Sequence, residues 1–304
     1  MTQIDKNPWL GLKAYDEGTI LYGRNEDTIN LAQLVFYNTD AVLYGKSGIG
    51  KSSLLNANLL PRARHRGLEP IFIRLDHHEN ANSYVTQIIN AIKNAGIAIE
   101  KKFDTSSDTP LLWELFHCYE FFKGNKRTPL LIIFDQFEEI FTLQQNQEKR
   151  LAFFKEMADF INDIKPRQLT QENPKAEKAE GNNPILDFDE LIIDDINLQI
   201  PEEYQKNYID DNEIHLLISL REDFLSEFEY HTTSIPSLKQ HRYGLRPVTD
   251  EEAQEIITMP GRDCLPVDKE EQEKLVAGII NFSKEGDLKQ INTLLLSLTC
   301  LVLK

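Results

Sequence analysis

Gly45-Lys46-Ser47-Gly48-Ile49-Gly50-Lys51-Ser52 is the stretch whose reading decides the fold. It meets the pattern G-x-x-x-x-G-K-[ST] at every fixed position. Asp40 to Tyr44, just before it, is a short apolar run suited to a buried parallel strand. Ser53 to Leu60, just after it, reads as a helix that Pro61 is expected to stop. Strand, glycine loop and helix in that order make a phosphate cradle. Glycines let the backbone curl until several N–H groups point inward, and the helix N-terminus adds the positive end of its dipole. Gly45, Ser47, Gly48, Ile49 and Gly50 are therefore expected around the phosphates. Lys51 is expected to reach the β- and γ-phosphates, and the Ser52 hydroxyl to ligate Mg²⁺.

Two further strand ends carry chemistry. Leu130-Leu131-Ile132-Ile133-Phe134 reads as a fully buried strand, and Asp135 follows at its C-terminal end. Ligands of open α/β sheets bind at that edge, so Asp135 is expected to hold Mg²⁺ directly or through water. Gln136-Phe137-Glu138-Glu139 adds two carboxylates within one turn, and one of Glu138 and Glu139 is expected to orient the attacking water. Ile214 to Leu220 is again a buried strand, with Arg221 at its end. An arginine there suits the charge of a γ-phosphate; the alternative is an ordinary strand-end pair with Glu222 or Asp223.

The remaining segments read as scaffold. Residues 7–26 form a loop with aromatic anchors, followed by a helix from about Glu26. Arg62, Arg64, His65 and Arg66 suit the negative end of a helix dipole. Pro70 to Leu75 is a second buried strand, and the adjacent His77 and His78 after it read as a solvated loop rather than a metal site. Ser83 caps a helix whose Val85, Ile88, Ile89 and Ile92 share a face. Pro110 opens another, with Leu112, Leu115, Phe116, Tyr119 and Phe122 expected in register. A helix is expected from Gln147 to Ile164. Thr249 and Glu252 make a capping box. Leu294, Leu295, Leu296, Leu298, Leu301, Val302 and Leu303 exceed one amphipathic face and predict burial on most sides.

The whole chain has 304 residues, 41% of them hydrophobic, enough for a sizeable core. Its net charge of −16 argues against bulk binding to nucleic acid or anionic membrane. Residues 165–213 hold five basic and thirteen acidic residues, half of that excess, with Pro166, Pro174, Pro184 and Pro201. This stretch reads as an acidic insert, disordered at least over 168–183. There is no transmembrane-length apolar run and no signal-peptide core. Cys118, Cys264 and Cys300 lack metal spacing and read as reduced thiols. A cytoplasmic location is the expectation.

Taken together, these residues resemble the bacterial signal-transduction ATPases with numerous domains (STAND), specifically the novel STAND group of anti-phage and other conflict systems. Asn7-Pro8-Trp9-Leu10-Gly11-Leu12 is similar to that group's Asn-Pro-Tyr/Phe-x-Gly-Leu start. Tyr22-Gly23-Arg24-Asn25-Glu26 resembles its Phe-x-Gly-Arg-x-x-Glu segment. Gly45 to Ser53 with Leu54 to Pro61 resembles its extended Walker A, Phe134 to Phe141 its Walker B, and Leu220 to Leu225 its sensor-1 strand end. The resemblance adds Gly23, Arg24 and Ser53 to the expected nucleotide contacts. It implies an α/β, AAA-like P-loop NTPase: a three-layer sandwich with a central parallel sheet, then a small helical lid segment. It also implies a switch in which ADP holds a closed monomer, exchange for ATP drives oligomerisation, and slow hydrolysis resets it.

The expected organisation is an N-terminal loop and helix over 1–36 on the adenine side, an NTPase core over 37–262, and the start of a lid over 263–304. Partners would be nucleotide and, through further C-terminal regions of the family, a second copy or another protein. The competing readings are a catalytically silent nucleotide-binding scaffold and a high-turnover P-loop kinase or transporter ATPase, against which Asp135-Gln136-Phe137-Glu138-Glu139 argues.

Overall fold

The computed structural model describes residues 9, 11, 13–103, 109–166, 214–261, 265–285 and 290–301. Residues 167–213 of the acidic stretch and Cys264 lie outside them. Helix α1 (Asn25–Tyr37) leads into strand β1 (Asp40–Gly45) and the glycine loop. A continuous helix over 51–66 follows, in three parts: α2 (Lys51–Ser53), a π-helical stretch Leu54–Leu59, and α3 (Leu60–Arg66). Pro61 does not stop it, contrary to expectation. The π stretch bonds one residue further back, Leu60 N–H reaching Leu55 O, and the widened turn accommodates a proline that lacks an N–H. The helix ends instead at Gly67, left-handed at φ 94°, with Arg64, His65 and Arg66 in its last turn.

Strand β2 (Glu69–Ile73) and helix α4 (Tyr84–Asn94), capped by Ser83, come next. Then come β3 (Ala98–Lys101), α5 (Leu112–His117), β4 (Tyr119–Lys123) and β5 (Lys126–Arg127). Tyr119 and Phe122 therefore lie on a strand, not on the helix expected to carry them. The aromatic run Tyr-Glu-Phe-Phe favours a pleated surface, and Gly124, at φ 62°, opens a two-residue turn that pairs Lys123 with Lys126. The three strands form a small antiparallel sheet.

Strand β6 (Leu130–Phe134), helix α6 (Glu139–Thr142) and helix α7 (Gln147–Ile161) precede β7 (Ile214–Arg221). A 3₁₀ turn Glu222–Phe224, helices α8 (Leu225–His231) and α9 (Ser237–Gln240), and strand β8 (Arg242–Gly244) complete the α/β body. The main sheet is parallel throughout, in the order β2-β6-β7-β1-β8. Strand β7 thus separates the glycine-loop strand β1 from β6, which Asp135 follows.

Alternation along the strands sends side chains to two cores. Leu130, Ile132 and Phe134 pack with α4, α5, α7 and α8 through Ile88, Leu115, Phe153 and Phe228. Leu131 and Ile133 pack on the other face with Leu31, Val35, Leu55 and Leu59. Sheet and two helical layers make the three-layer sandwich. Each fully buried side chain of this size contributes about 1.5–3 kcal/mol of transfer free energy.

Helices α10 (Asp250–Thr258) and α11 (Lys269–Phe282), a hairpin of β9 (Lys284–Glu285) and β10 (Gln290–Ile291), and helix α12 (Thr293–Cys300) follow. Thr249 and Glu252 close the capping box on α10. These elements share a third core, built on Val248, Ala253, Ile257, Ile280, Leu296 and Cys300, into which Trp9 inserts. Trp9 Nε1 donates to Ile256 O at 3.0 Å. The expected burial of the leucine-rich end is partial: Leu296 is fully buried and Leu298 is 36% exposed. Among the described residues no helix is long and apolar enough to cross a membrane.

Candidate functional site

The C-terminal ends of β1, β6 and β7 converge on a cavity of about 330 Å³. The loop after β1 supplies one wall. Gly48 (φ 73°) and Gly50 (φ 102°) sit in left-handed conformations that side-chain-bearing residues resist. Ser47, Gly48, Ile49, Gly50, Lys51, Ser52 and Ser53 all line the cavity. Gly45 takes part through its carbonyl, which accepts from Lys51 Nζ at 2.8 Å; Lys46 O accepts from the same ammonium at 3.0 Å. Burial lowers the Lys51 pKa, against the pull of Glu138 and Asp135.

Asp135 is held on both sides. Ser52 Oγ donates to its Oδ2 at 2.8 Å and Ser219 Oγ to its Oδ1 at 2.9 Å. A hydroxyl and a carboxylate fixed together at a phosphate loop fit the hard-oxygen preference of Mg²⁺. Ser219 was not among the expected site residues. Its signal is a lone hydroxyl two positions before the end of an apolar strand.

The turn after β6 separates the two glutamates. Gln136 is left-handed, at φ 54°, at a cost of roughly 1–2 kcal/mol for a residue with a side chain. This reversal, pinned by Phe137 N–H on Ser219 O at 2.9 Å, directs Glu138 into the cavity. Glu138 is 8% exposed, and Arg221 N–H donates to its Oε2 at 3.2 Å. Burial raises its pKa, opposed by those backbone hydrogen bonds and by Lys51. Glu139 does not line this cavity. Its carboxylate forms a two-pronged pair with Arg74 at the end of β2. Gln136 itself lines the cavity, and among the described residues its Oε1 is buried without a hydrogen-bond partner.

Arg221 borders the cavity, but its guanidinium pairs with Asp223 and lies 5.8 Å over the Phe224 ring. The strand-end alternative thus describes its present partner. Arg24 is also redirected. It is 3% exposed and donates to Asp27 Oδ2 at 2.7 Å, Arg246 O at 2.7 Å and Ile49 O at 2.9 Å. It is a strut that braces the glycine loop, although it forms part of the cavity wall. Tyr243 OH donates to the same Asp27 at 2.6 Å, and burial beside that carboxylate pushes its pKa up to about 12. Gly23 (φ 69°) is a packing glycine: a Cβ there would lie 2.6 Å from Glu252 O.

The C-terminal elements close over the loop. Thr293, Leu294 and Ser297 of α12 line the cavity, and Lys46 Nζ donates to Gln290 Oε1 of β10 at 3.0 Å. Ser297 Oγ accepts from Gly11 N–H at 3.0 Å. Ile20, Leu21, Tyr22, Ile256 and Pro260 add an apolar wall. The adjacent histidines stay apart from this chemistry. His77 is buried on Tyr84 OH at 2.9 Å, and the His78 ring faces solvent.

The family model Novel STAND NTPase 1 matches residues 8–171, more than half of the chain. The chain belongs to the novel STAND NTPase family. A comparison with curated protein sequences finds no match. Among solved structures, this STAND NTPase is similar to the Aeropyrum pernix ORC2 protein in its ADPNP–ADP complexes, at 15% identity and a TM-score of 0.50. The match covers 98% of the STAND chain and 65% of the ORC2 chain, and the likeness is one of fold. Aeropyrum pernix ORC1 in complex with DNA matches at 15% identity and a TM-score of 0.46, over 92% and 59% of the two chains. The E. coli MS115-1 HORMA:CdnC:Trip13 complex contains a chain matching at 11% identity and 0.45, over 90% and 78%.

Proposed function

We propose that this cavity binds ATP or ADP with Mg²⁺ and hydrolyses ATP slowly, as the reset step of a regulatory switch. One observation carries the reading: Lys51, Ser52, Asp135, Glu138 and Arg221, from three strand ends, border a single cavity. The loop amides and Lys51 bind the phosphates. Ser52 and Asp135 would hold Mg²⁺, which when bound neutralises phosphate charge. Glu138 accepts a proton from the attacking water. Arg221 exchanges Asp223 for the γ-phosphate. The apolar wall at Ile20, Tyr22, Ile256 and Pro260 suits the base.

Family membership supports a signalling role, including defence in conflict systems, with self-association in the ATP state. The contact of Lys46 with Gln290 supports the switch, since it ties the phosphate loop to the C-terminal hairpin. The test is Lys51→Ala, followed by fluorescent nucleotide titration and circular dichroism. The expected result is an affinity loss of at least about tenfold with an unchanged spectrum. Undiminished affinity in the folded variant removes the phosphate-cradle assignment. Turnover measured beside affinity separates a switch from a silent scaffold, which binds without hydrolysing.

A further inference from the structure

Asp135 presents its two oxygens to different neighbours. Strands β6 and β7 pair Phe134 with Ile218, so the next positions, Asp135 and Ser219, are cross-strand neighbours. Ser219 is fully buried, and its hydroxyl donates to Oδ1 at 2.9 Å. Oδ2 is left to Ser52, on the helix after the glycine loop, at 2.8 Å. Ser219 has little room to withdraw. Its carbonyl accepts from Phe137 N–H at 2.9 Å, and β1 and β6 flank its strand. The second carboxylate on the cavity wall is engaged in the same way, with Glu138 Oε2 on the Arg221 amide at 3.2 Å.

We propose that Ser219 sets the metal specificity of the site: it restricts Asp135 to one available oxygen and so favours Mg²⁺ over Ca²⁺. This rests on the reading of the cavity as a nucleotide–Mg²⁺ site. Mg²⁺ demands a near-octahedral shell, dehydrates reluctantly, and is held beside nucleotide phosphates by few carboxylates and several waters. A carboxylate that offers one fixed oxygen suits it. Ca²⁺ is larger, takes about six to eight oxygens in a flexible shell and readily grips a carboxylate by both. With Oδ1 bonded to a buried hydroxyl, that two-oxygen grip competes with the Ser219 bond. The two serines therefore differ in role. Ser52 Oγ and Oδ2 are both ligands, so their mutual bond gives way to the metal, whereas the Ser219 bond to Oδ1 persists. Without the Ser219 hydroxyl, Asp135 loses its fixed orientation, which weakens Mg²⁺, and gains a second free oxygen, which favours Ca²⁺. Both effects move the preference in the same direction.

The test is calorimetric titration of the ADP-saturated chain with Mg²⁺ or Ca²⁺ as the sole divalent cation, against a blank of free ADP, with circular dichroism to check folding. The unsubstituted chain is expected to bind Mg²⁺ more tightly than Ca²⁺. Ser219→Ala is expected to weaken Mg²⁺ by roughly 10- to 100-fold, the range for loss of a ligand's supporting partner. Its Ca²⁺ affinity is expected to rise or to stay within about twofold, well short of a tenfold step in Kd. Ser219→Thr keeps the hydroxyl on a strand, where a β-branched residue fits, and is expected to keep the Mg²⁺ preference. Equal losses for both cations in Ser219→Ala would make Ser219 a general support of Asp135 and overturn the assignment. So would undiminished Mg²⁺ affinity in that variant, or a folded Ser219→Thr or unsubstituted chain without the preference. An unsubstituted chain that binds no ADP overturns the nucleotide reading, and this assignment with it.

Discussion

Glu138 and Glu139 are neighbours in sequence that face opposite sides of one turn. Glu138 is buried on the cavity wall with its carboxylate on the Arg221 amide; Glu139 is half-buried on Arg74. Glu138→Gln is expected to keep ATP binding and slow turnover by about 10²- to 10⁴-fold, the range for loss of a general base. Glu139→Gln loses an ion pair worth roughly 0–1 kcal/mol and leaves turnover nearly unchanged. The reverse order in a rate assay would move the base to Glu139. The raised pKa of Glu138 has a consequence for stability. Its folded-state value lies above its unfolded one, so its charge costs stability at neutral pH, and that cost fades as pH falls through the folded value. Glu138→Gln should therefore raise Tm at pH 7 and raise it less toward about pH 4, near the ordinary glutamate value. An equal shift at both pH values would mean that the gain is not electrostatic.

At the scale of elements, the sequence made the strand–loop–helix unit and the two other chemical strand ends legible, because buried parallel strands are continuous apolar runs and their termini are marked by charge. It did not reveal what tertiary contacts decide. Pro61 reads locally as a stop, yet a π stretch carries the helix past it. Tyr119 and Phe122 fit a helical stripe, yet Gly124 folds them into a hairpin. Within the site, Lys51, Ser52, Asp135 and Arg221 were legible from motif and position. Glu138 could not be told from Glu139, since the choice depends on a left-handed glutamine. Arg24, read as a nucleotide contact, lines the cavity and also braces α1, the glycine loop and the segment after β8. Arg24→Ala leaves the buried Asp27 carboxylate with Tyr243 as a partner but without its cation, which costs roughly 3–5 kcal/mol for a broken buried pair. A lower Tm together with weaker ADP binding is expected. An equally stable variant with intact affinity would rule out the brace.

Across the whole molecule, three cores meet around one cavity, and the third reaches it through α12. Leu294 is half-buried on that wall, and a Cβ at Gly48 would lie 3.7 Å from its own Cβ. Leu294→Asp places a carboxylate beside the phosphate loop at little cost to the core. It is expected to weaken ATP about tenfold, or roughly 1.4 kcal/mol, with Tm nearly unchanged. Unaltered affinity by titration would mean that α12 does not face the phosphates. At the far end of the sheet, β7 begins at Ile214, remote from the cavity at its other end. Deleting 168–211 is accordingly expected to leave ADP affinity intact; a loss of affinity in the folded deletion would contradict this.

The turn between β6 and α6 is tied to β7 by two backbone amides that report different things. Phe137 N–H ends on a neutral carbonyl, Ser219 O, whereas Arg221 N–H ends on the Glu138 carboxylate. A proton added to Glu138 changes the acceptor of the second amide and not of the first. In a ¹⁵N–¹H correlation spectrum recorded across pH, the Arg221 cross-peak should migrate while that of Phe137 stays in place. The chain therefore carries its own indicator for the charge on Glu138, with Phe137 as the internal standard, readable before any nucleotide is added.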